Sequence, residues 1–307
     1  MISRLFPALL LAAVAVPAQQ PTYTVDVRLV RILATVKTSA GQLVGDLGRD
    51  DFQVLDNGVP QKLALFEHHT EQPLSIAVMI DISASTGIDL KYEVESVDRF
   101  VHALLREGNP GDAAAIFAFN WETMLLAGFT RRLERLEQVL RGLKAEGGTS
   151  LYDAMCLASG RLEGREGRHV IVVVTDGGDT TSTKTFHAAL TAAQMADAVI
   201  YPILVVPITN DPGRNIGGEN ALTTLAAGTG GRVFAPTVGE ALDAAFAEII
   251  RDLRTQYLLG YYPRGVTLTK DSFHRLEVKV RRAELRVLAR SGYYGESQEA
   301  QGWRPVP

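Results

Sequence analysis

Three short polar segments in this sequence carry side chains that could hold a metal ion. They are Asp81-Ile-Ser83-Ala-Ser85, Gly147-Gly-Thr149 and Thr175-Asp176-Gly-Gly178. Two carboxylates and three hydroxyls make an all-oxygen ligand set, which suits a hard cation such as Mg2+, Mn2+ or Ca2+ and disfavours zinc or copper. The residue types therefore predict a divalent-cation site formed by Asp81, Ser83, Ser85, Thr149 and Asp176.

The charge of these ligands indicates what the ion would do. Ser and Thr hydroxyls are neutral, so a cation held mainly by hydroxyls and water keeps much of its charge uncompensated. It then favours one more anionic ligand, which a glutamate or aspartate of a protein partner could supply. The ligand set therefore predicts a recognition device rather than a catalyst.

Each polar segment stands where a strand ends or a helix begins. Asp81 ends the apolar run 74–80, Asp176 follows another apolar run, and Thr149 precedes a helical pattern. In a parallel α/β sheet the loops after the strands share one edge, and ligands bind there where the strand order reverses. We therefore expect the three segments to converge on one crevice.

Apolar runs alternate with helical patterns from residue 72 to residue 256. Nearly continuous apolar runs are typical of parallel strands buried on both faces. Their alternation with helices predicts a doubly wound α/β sheet, mostly parallel and flanked by helices. The predicted strands are 74–80, 113–119, 170–174 and 199–206, and the predicted helices are 89–106, 133–143, 151–162, 185–196 and 238–254.

The two flanks of this region alternate apolar and polar residues with period two, as strands do. In the first flank, turns separate the short runs 52–55 and 63–66 in the manner of hairpins. The ends of a doubly wound domain lie close together. We therefore predict one small antiparallel β module formed from about 22–70 and 257–296, with the α/β domain inserted in it. Two separate modules are the alternative.

At the three polar segments the sequence resembles the von Willebrand factor type A family. In that family Asp-x-Ser-x-Ser, a later Thr and a later Asp form the metal ion-dependent adhesion site. The resemblance covers roughly residues 72–256. It implies that Ser83, Ser85 and Thr149 are hydroxyl ligands and that Asp81 and Asp176 act directly or through water.

The flanks carry a second resemblance. The Asp56-Asn-Gly58 turn, Gln256-Tyr-Leu-Leu-Gly-Tyr-Tyr-Pro263 and Ala289-Arg-Ser-Gly-Tyr-Tyr294 are similar to the flanks of bacterial VWFA-related proteins. This likeness implies family membership but no known activity. Within residues 72–256, Asn120 departs from many members of the von Willebrand factor type A family, which carry a serine there. It could support the metal ligands, but we interpret it as a turn residue.

The first residues indicate export. Arg4, the apolar run 8–16 and Val16-Pro17-Ala18 have the order of a secretory signal peptide, so we predict residues 1–18 to be removed after Ala18. The run is shorter than the roughly 20 residues that cross a bilayer, and no later stretch is long and apolar enough. We expect a periplasmic or secreted protein without a transmembrane span, with a disordered tail at 297–307.

Other classes of function fit less well. The formal net charge is -4 and no basic run is interleaved with aromatic residues, so nucleic acid is a poor partner. The leading hypothesis is a non-enzymatic protein whose cation binds an acidic side chain of a protein partner. One alternative is a structural scaffold of an envelope assembly, with a stabilising metal. A serine hydrolase using Ser83 or Ser85, with His187 and Asp176, is the other, but the Gly-x-Ser-x-Gly motif is absent.

Overall fold

The computed structural model of the protein describes residues 29–68, 72–205, 215–236, 240–266 and 272–295. The predicted signal peptide, the predicted strand residues 22–28 and the predicted tail lie outside these ranges. None of the helices in the described ranges has the length and apolar character that crossing a bilayer requires.

The chain order is strands, then an alternation of strands and helices, then strands again. The first flank holds β1 (Val30–Lys37), β2 (Phe52–Asp56), β3 (Val59–Gln61) and β4 (Leu63–Glu67). The middle region holds β5 (Leu74–Asp81), α1 (Leu90–Glu107), β6 (Ala113–Phe119), β7 (Thr123–Thr130), α2 (Leu133–Leu140), α3 (Leu151–Leu162), β8 (Arg168–Thr175), α4 (Phe186–Met195), β9 (Ala198–Leu204), α5 (Ile216–Thr229) and α6 (Glu240–Arg254). The second flank holds β10 (Tyr257–Tyr261), β11 (Phe273–Val280), β12 (Arg286–Ala289) and β13 (Gly292–Tyr294).

The middle region forms one five-stranded sheet in the order β7-β6-β5-β8-β9. Strands β6, β5, β8 and β9 run parallel, and β7 is antiparallel to β6 at one edge. From β5 the chain first adds strands on one side and then on the other, which is the doubly wound pattern that the sequence predicts. The point of reversal lies at the carboxyl ends of β5 and β8, where ligands bind in such sheets.

Strand β5 shows why the apolar runs are continuous. Ile76, Val78 and Ile80 face a core that includes residues of α1 and α6. Ala77 and Met79, which alternate with them, face a second core that includes residues of α3 and α4. Both faces of the strand are covered, so every position favours an apolar side chain.

The sequence patterns did not predict two elements of the middle region. Strand β7 is an edge strand with mostly half-buried residues, so it shows neither a continuous apolar run nor a strict alternation. Helix α5 contains glycines at positions 217, 218 and 228, and glycine disfavours helix formation. The predicted helix 133–143 is also shorter in the structure and ends at Leu140.

The strands of the two flanks pair with one another. One antiparallel sheet has the order β12-β1-β10-β4, and the other has the order β13-β11-β2-β3. The predicted pairing of 52–55 with 63–66 is wrong, because the turn at Asn57 (φ 47°) and Gly58 (φ 81°) joins β2 to β3 instead. Strand β4 pairs with β10 in the other sheet. The antiparallel module therefore draws on both flanks, while the proposed domain boundaries stay predictions.

A buried carboxylate connects the two flanks. Asp56, at the end of β2, is fully buried and accepts hydrogen bonds from the hydroxyls of Tyr261 (2.7 Å) and Tyr293 (2.9 Å). His274 Nδ1 lies 2.9 Å from the other oxygen of the same carboxylate. Burial, followed by the bond to Asp56, raises the pKa of Tyr261, so this hydroxyl stays a donor at physiological pH.

Replacing Asp56 should destabilise the protein strongly. Asp56→Ala leaves buried donors of Tyr261 and Tyr293 without an acceptor, and each such loss costs about 1–3 kcal/mol. We expect urea denaturation to show at least about 3 kcal/mol less unfolding free energy. The matched control is Asp46→Ala, whose exposed carboxylate lies 3.9 Å from Arg282, and it should cost less than about 0.5 kcal/mol. Equal losses in both variants would contradict the assigned role of Asp56.

Candidate metal centre

Asp81 lies at the centre of the carboxyl edge of the sheet. It is the last residue of β5, it pairs with Phe119 of β6, and its side chain is buried. One carboxylate oxygen accepts the Ser83 backbone N–H at 2.9 Å, and the other accepts the Thr175 hydroxyl of β8 at 2.6 Å. These two bonds fix the orientation of the carboxylate between the neighbouring loops.

The Asp-x-Ser-x-Ser segment forms a tight loop after β5. The hydroxyls of Ser83 and Ser85 lie 3.1 Å apart, with Ser83 buried and Ser85 exposed. The Thr86 hydroxyl donates to the backbone carbonyls of Asp81 (3.2 Å) and Ser83 (2.9 Å). This loop brings two hydroxyls together at the end of the strand that carries Asp81.

The loop that carries Thr149 is attached to both of its neighbours. The Ala84 N–H donates to the Gly147 carbonyl at 3.0 Å, which ties it to the loop after β5. On the other side the Thr149 N–H donates to the Thr180 hydroxyl, and the Thr180 N–H donates to the Thr149 carbonyl, both at 2.8 Å. Thr149 itself is buried. The three polar segments therefore meet at one edge, as the sequence predicts.

Asp176 follows Thr175 at the end of β8 and is partly buried. Its charge acts on Asp81, since burial first, with a contribution from Asp176, raises the pKa of Asp81 to about 6. The hydrogen bonds from Thr175 and Ser83 oppose this shift. Two carboxylates in mutual repulsion at one edge are an arrangement that a divalent cation would stabilise.

Glu93 is a carboxylate of this region that the motifs do not include. It lies in the first turn of α1 with 1% of its surface exposed, and its Oε2 has no hydrogen-bond partner in the described part of the chain. Burial, followed by the charges of Asp81, Asp89 and Asp176, raises its pKa to about 8. The sequence does hold a signal for it, because Glu93 occupies the apolar stripe of α1 between Leu90 and Val97.

The spacing of these carboxylates leaves room for water. Within the described ranges, one group of three histidine or carboxylate side chains has ligand atoms that all lie within 4.8 Å of one another, and it consists of Asp98, His102 and Glu137. The carboxylates of Asp81, Glu93 and Asp176 are therefore more widely spread. Hydroxyls and water must complete the coordination of an ion placed among them.

The residues present fit a hard divalent cation. The donors at this edge are carboxylate and hydroxyl oxygens, and the charges acting on Asp81 and Glu93 include those of further carboxylates. Asp81, Ser83, Ser85, Thr149 and Asp176 would hold the ion, and a bound cation would favour the ionised form of the buried Glu93. Asn120 stands beside this set as a turn residue: its side-chain oxygen accepts the Glu122 N–H and its carbonyl accepts the Ser150 N–H.

The fold and the arrangement of the loops define the class of domain to which this region belongs. The protein has a doubly wound α/β domain whose first strand ends in Asp-x-Ser-x-Ser beside a Thr loop and an Asp loop. The family model described as "von Willebrand factor type A domain" matches residues 76–178. The chain therefore contains a von Willebrand factor type A domain, a fold commonly used in adhesion and protein interaction.

Several solved structures are similar to the chain. The vWF domain of the type V pili tip protein Mfa5 from Porphyromonas gingivalis has 18% identity over 59% of this chain and 94% of its own, with a TM-score of 0.49. An aerotolerance-related membrane protein from Bacteroides fragilis has 19% identity over 59% and 98%, with a TM-score of 0.45. The PilB minor pilin from Streptococcus sanguinis has 12% identity over 61% and 62%, with a TM-score of 0.48. No curated protein matches the chain.

Glu93 should make the stability of the cation-free protein depend on pH. Its pKa rises from 4.5 to about 8 on folding, so the folded state keeps a proton that the unfolded chain releases within this range. This stability is fully present below pH 4.5 and is lost as the pH rises towards 8, by up to about 1.4 kcal/mol per pH unit. Glu93→Gln in EDTA should show a shallower fall than the parent in urea denaturation between pH 6 and 8.

Glu95→Gln provides the control, because Glu95 is exposed on the same helix and its replacement should leave the slope unchanged. Parallel pH profiles for the parent and Glu93→Gln would show that Glu93 does not keep its proton in the folded protein.

Proposed function

We propose that this is an exported, non-enzymatic binding protein that engages an acidic side chain of a protein partner through a divalent cation, with Mg2+ as the first candidate and Mn2+ or Ca2+ as alternatives. The observation that carries the proposal is the meeting of Asp81, Ser83 and Ser85 with the Thr149 and Asp176 loops at the switch point of the sheet. Such an edge is open to a ligand that approaches from outside the protein.

The ligand chemistry supports recognition by a cation. Three of the five proposed ligands are neutral hydroxyls, so the bound ion would retain positive charge towards solvent. The Ser85 side chain is exposed, which places one of these ligands at the surface where a partner can reach the ion. A partner carboxylate would then complete both the coordination and the charge balance.

The alternatives have less support. A hydrolase would need a base beside its nucleophile, but the hydroxyls of Ser83 and Ser85 face each other at 3.1 Å and His187 is exposed on α4. A scaffold with a purely stabilising metal explains the buried carboxylates equally well. It does not require a ligand hydroxyl to be exposed, as Ser85 is.

We also propose that the protein is exported, which would bring it into contact with partners outside the cytoplasm. The proposal for export rests on the signal-peptide pattern of residues 1–18. A periplasmic or secreted location follows from that pattern.

Removing one exposed ligand should weaken ion binding, and with it partner binding, without unfolding the protein. In calorimetric titration with Mg2+, Ser85→Ala should bind at least about 10-fold more weakly than the parent. The melting temperature in EDTA should be unchanged, since within the described part of the chain the Ser85 hydroxyl has one hydrogen-bond contact, with Ser83. The control is Thr223→Ala, which deletes an exposed hydroxyl of α5 that bonds to its own helix.

The partner is tested by capture from an envelope extract on immobilised protein, with Mg2+ or with EDTA. Binding that is lost in EDTA and in Ser85→Ala, but kept in Thr223→Ala, supports the proposal. Capture that persists in EDTA while the melting temperature falls would favour the scaffold instead. An absence of calorimetric binding of Mg2+, Mn2+ and Ca2+ to the parent would overturn the cation site itself.

A further inference from the structure

Large exposed apolar residues surround the candidate metal centre. In the described ranges the exposed large apolar side chains include Ile88, Trp121 and Ile216, at 88%, 56% and 65% exposure. These three come from three different segments of the chain, and each segment borders one of the polar loops. We call Ile88, Trp121 and Ile216 the apolar rim.

Trp121 packs directly on the loop that carries Thr149. A Cβ atom added to Gly147, which has φ +83°, would lie 2.3 Å from Cε3 of the indole. The Ser150 hydroxyl donates to the Trp121 carbonyl at 3.1 Å, which holds the same turn against the start of α3. Gly147 is thus needed both for its backbone conformation and for the space that the indole occupies, and the rest of the indole faces solvent.

Ile88 extends from the loop after β5. It ends the short 3-10 helix Ala84–Ile88, three residues beyond Ser85. Gly87, its neighbour, approaches Ala145 in the segment that leads to Gly147. Ile88 therefore lies one turn of this helix from Ser85, and the protein leaves its side chain almost uncovered.

Ile216 lies on the side of the Asp176 loop. It is the first residue of α5, and a Cβ atom added to Gly218 would lie 1.2 Å from the Gly177 carbonyl oxygen. The N-terminus of α5 is therefore in backbone contact with the loop that follows Asp176. This contact places the third member of the rim at the same edge of the sheet.

We propose that the apolar rim binds bulky apolar side chains next to the acidic residue that reaches the cation, so that the partner is a protein segment in which Asp or Glu is flanked by aromatic or large aliphatic residues. This inference rests on the proposed function and specifies its partner. The charge complementarity is central: the cation accepts a carboxylate, and the surrounding surface accepts apolar groups.

The energetics favour such a combination. Apolar groups that exclude water around a charge pair lower the local dielectric constant, which strengthens the bond between cation and carboxylate. Tryptophan is among the residues that contribute most to protein interfaces when it is covered by a partner. A single carboxylate on a flexible polar segment would lack this contribution and should bind much more weakly.

The test uses a phage-displayed library of random dodecapeptides, selected on the immobilised full-length protein in Mg2+ and eluted with EDTA. We expect the eluted peptides to be enriched in Asp or Glu adjacent to Trp, Phe, Leu or Ile. A synthetic peptide from the selection should lose at least about 10-fold in affinity for Trp121→Ser and for Ile88→Ser. Calorimetric Mg2+ binding should be unchanged in both variants, which shows an intact metal centre.

Met195→Ser is the matched control, because Met195 is 60% exposed at the end of α4. The following residue, Ala196, contacts His169 near the start of β8, at the edge of the sheet opposite to Asp176. The affinity of the Met195→Ser variant for the selected peptide should equal that of the parent. Ile88→Ser keeps the proposal testable if Trp121→Ser misfolds, because the exposed Ile88 side chain makes few packing contacts.

Fluorescence gives a direct readout of contact with the rim. The chain contains two tryptophans, Trp121 and Trp303, so in a Trp303→Phe background the emission comes from Trp121 alone. The selected peptide should shift this emission to shorter wavelength in Mg2+ and not in EDTA. An unshifted emission with bound peptide would place the peptide away from the rim and overturn the inference.

The possible failures are distinguishable. Peptides that are eluted by EDTA and are acidic, but have no apolar neighbours, would overturn the rim and leave the proposed function intact. A selection without any EDTA-eluted peptides, together with absent calorimetric binding of Mg2+, Mn2+ and Ca2+, would overturn the proposed function. Sedimentation could instead show dimers that require Mg2+ and are abolished by Trp121→Ser. That result would overturn the proposed partner segment and identify a second copy of this chain as the partner.

Discussion

The structure depends on one constraint at the end of its central strand, where the carboxylate of Asp81 is buried and must be held in place. The Ser83 N–H and the Thr175 hydroxyl supply two hydrogen bonds, and they come from two different loops. Burial and the charge of Asp176 still keep its pKa raised to about 6. A carboxylate that is oriented but not neutralised is suited to a cation, and the surrounding loops are arranged around it.

The loops at this edge are fixed by each other as well as by the sheet. Gly147 bonds to Ala84 on one side of the Thr149 loop, and Thr180 bonds to Thr149 on the other. Because these contacts involve backbone groups, they fix the relative positions of the proposed ligands. Such preorganisation lowers the entropy that binding must overcome. The same contacts set the positions of Trp121 and Ile88, so the metal centre and the apolar rim are parts of one surface.

The antiparallel module has its own buried carboxylate, that of Asp56, but here the protein itself supplies the hydrogen-bond donors. Asp56 is satisfied by the donors of Tyr261, Tyr293 and His274, all from the second flank. The carboxylate therefore joins two parts of the chain that are separated by the whole α/β region. The Asp56 carboxylate is satisfied by protein donors, whereas burial and neighbouring carboxylates raise the pKa of Asp81 and Glu93, and a bound cation would lower both. The Asp81 carboxylate is therefore suited to function, and the Asp56 carboxylate to stability.

The sequence alone determined the class of fold, because continuous apolar runs such as 74–80 are typical of strands buried on both faces. It also determined the proposed ligands, because the residue types and spacing of Asp-x-Ser-x-Ser indicate a cation site. The position of Glu93 in the apolar stripe of α1 indicates its burial, but the sequence could not place it beside Asp81, because that depends on how α1 packs against the sheet. Nor could it pair β4 with β10 or place β7 and α5, because edge strands and glycine-rich helices owe their structure to neighbours distant in sequence. The rim of Ile88, Trp121 and Ile216 was likewise decided by tertiary structure, since it exists only when three separate segments meet around Asp81.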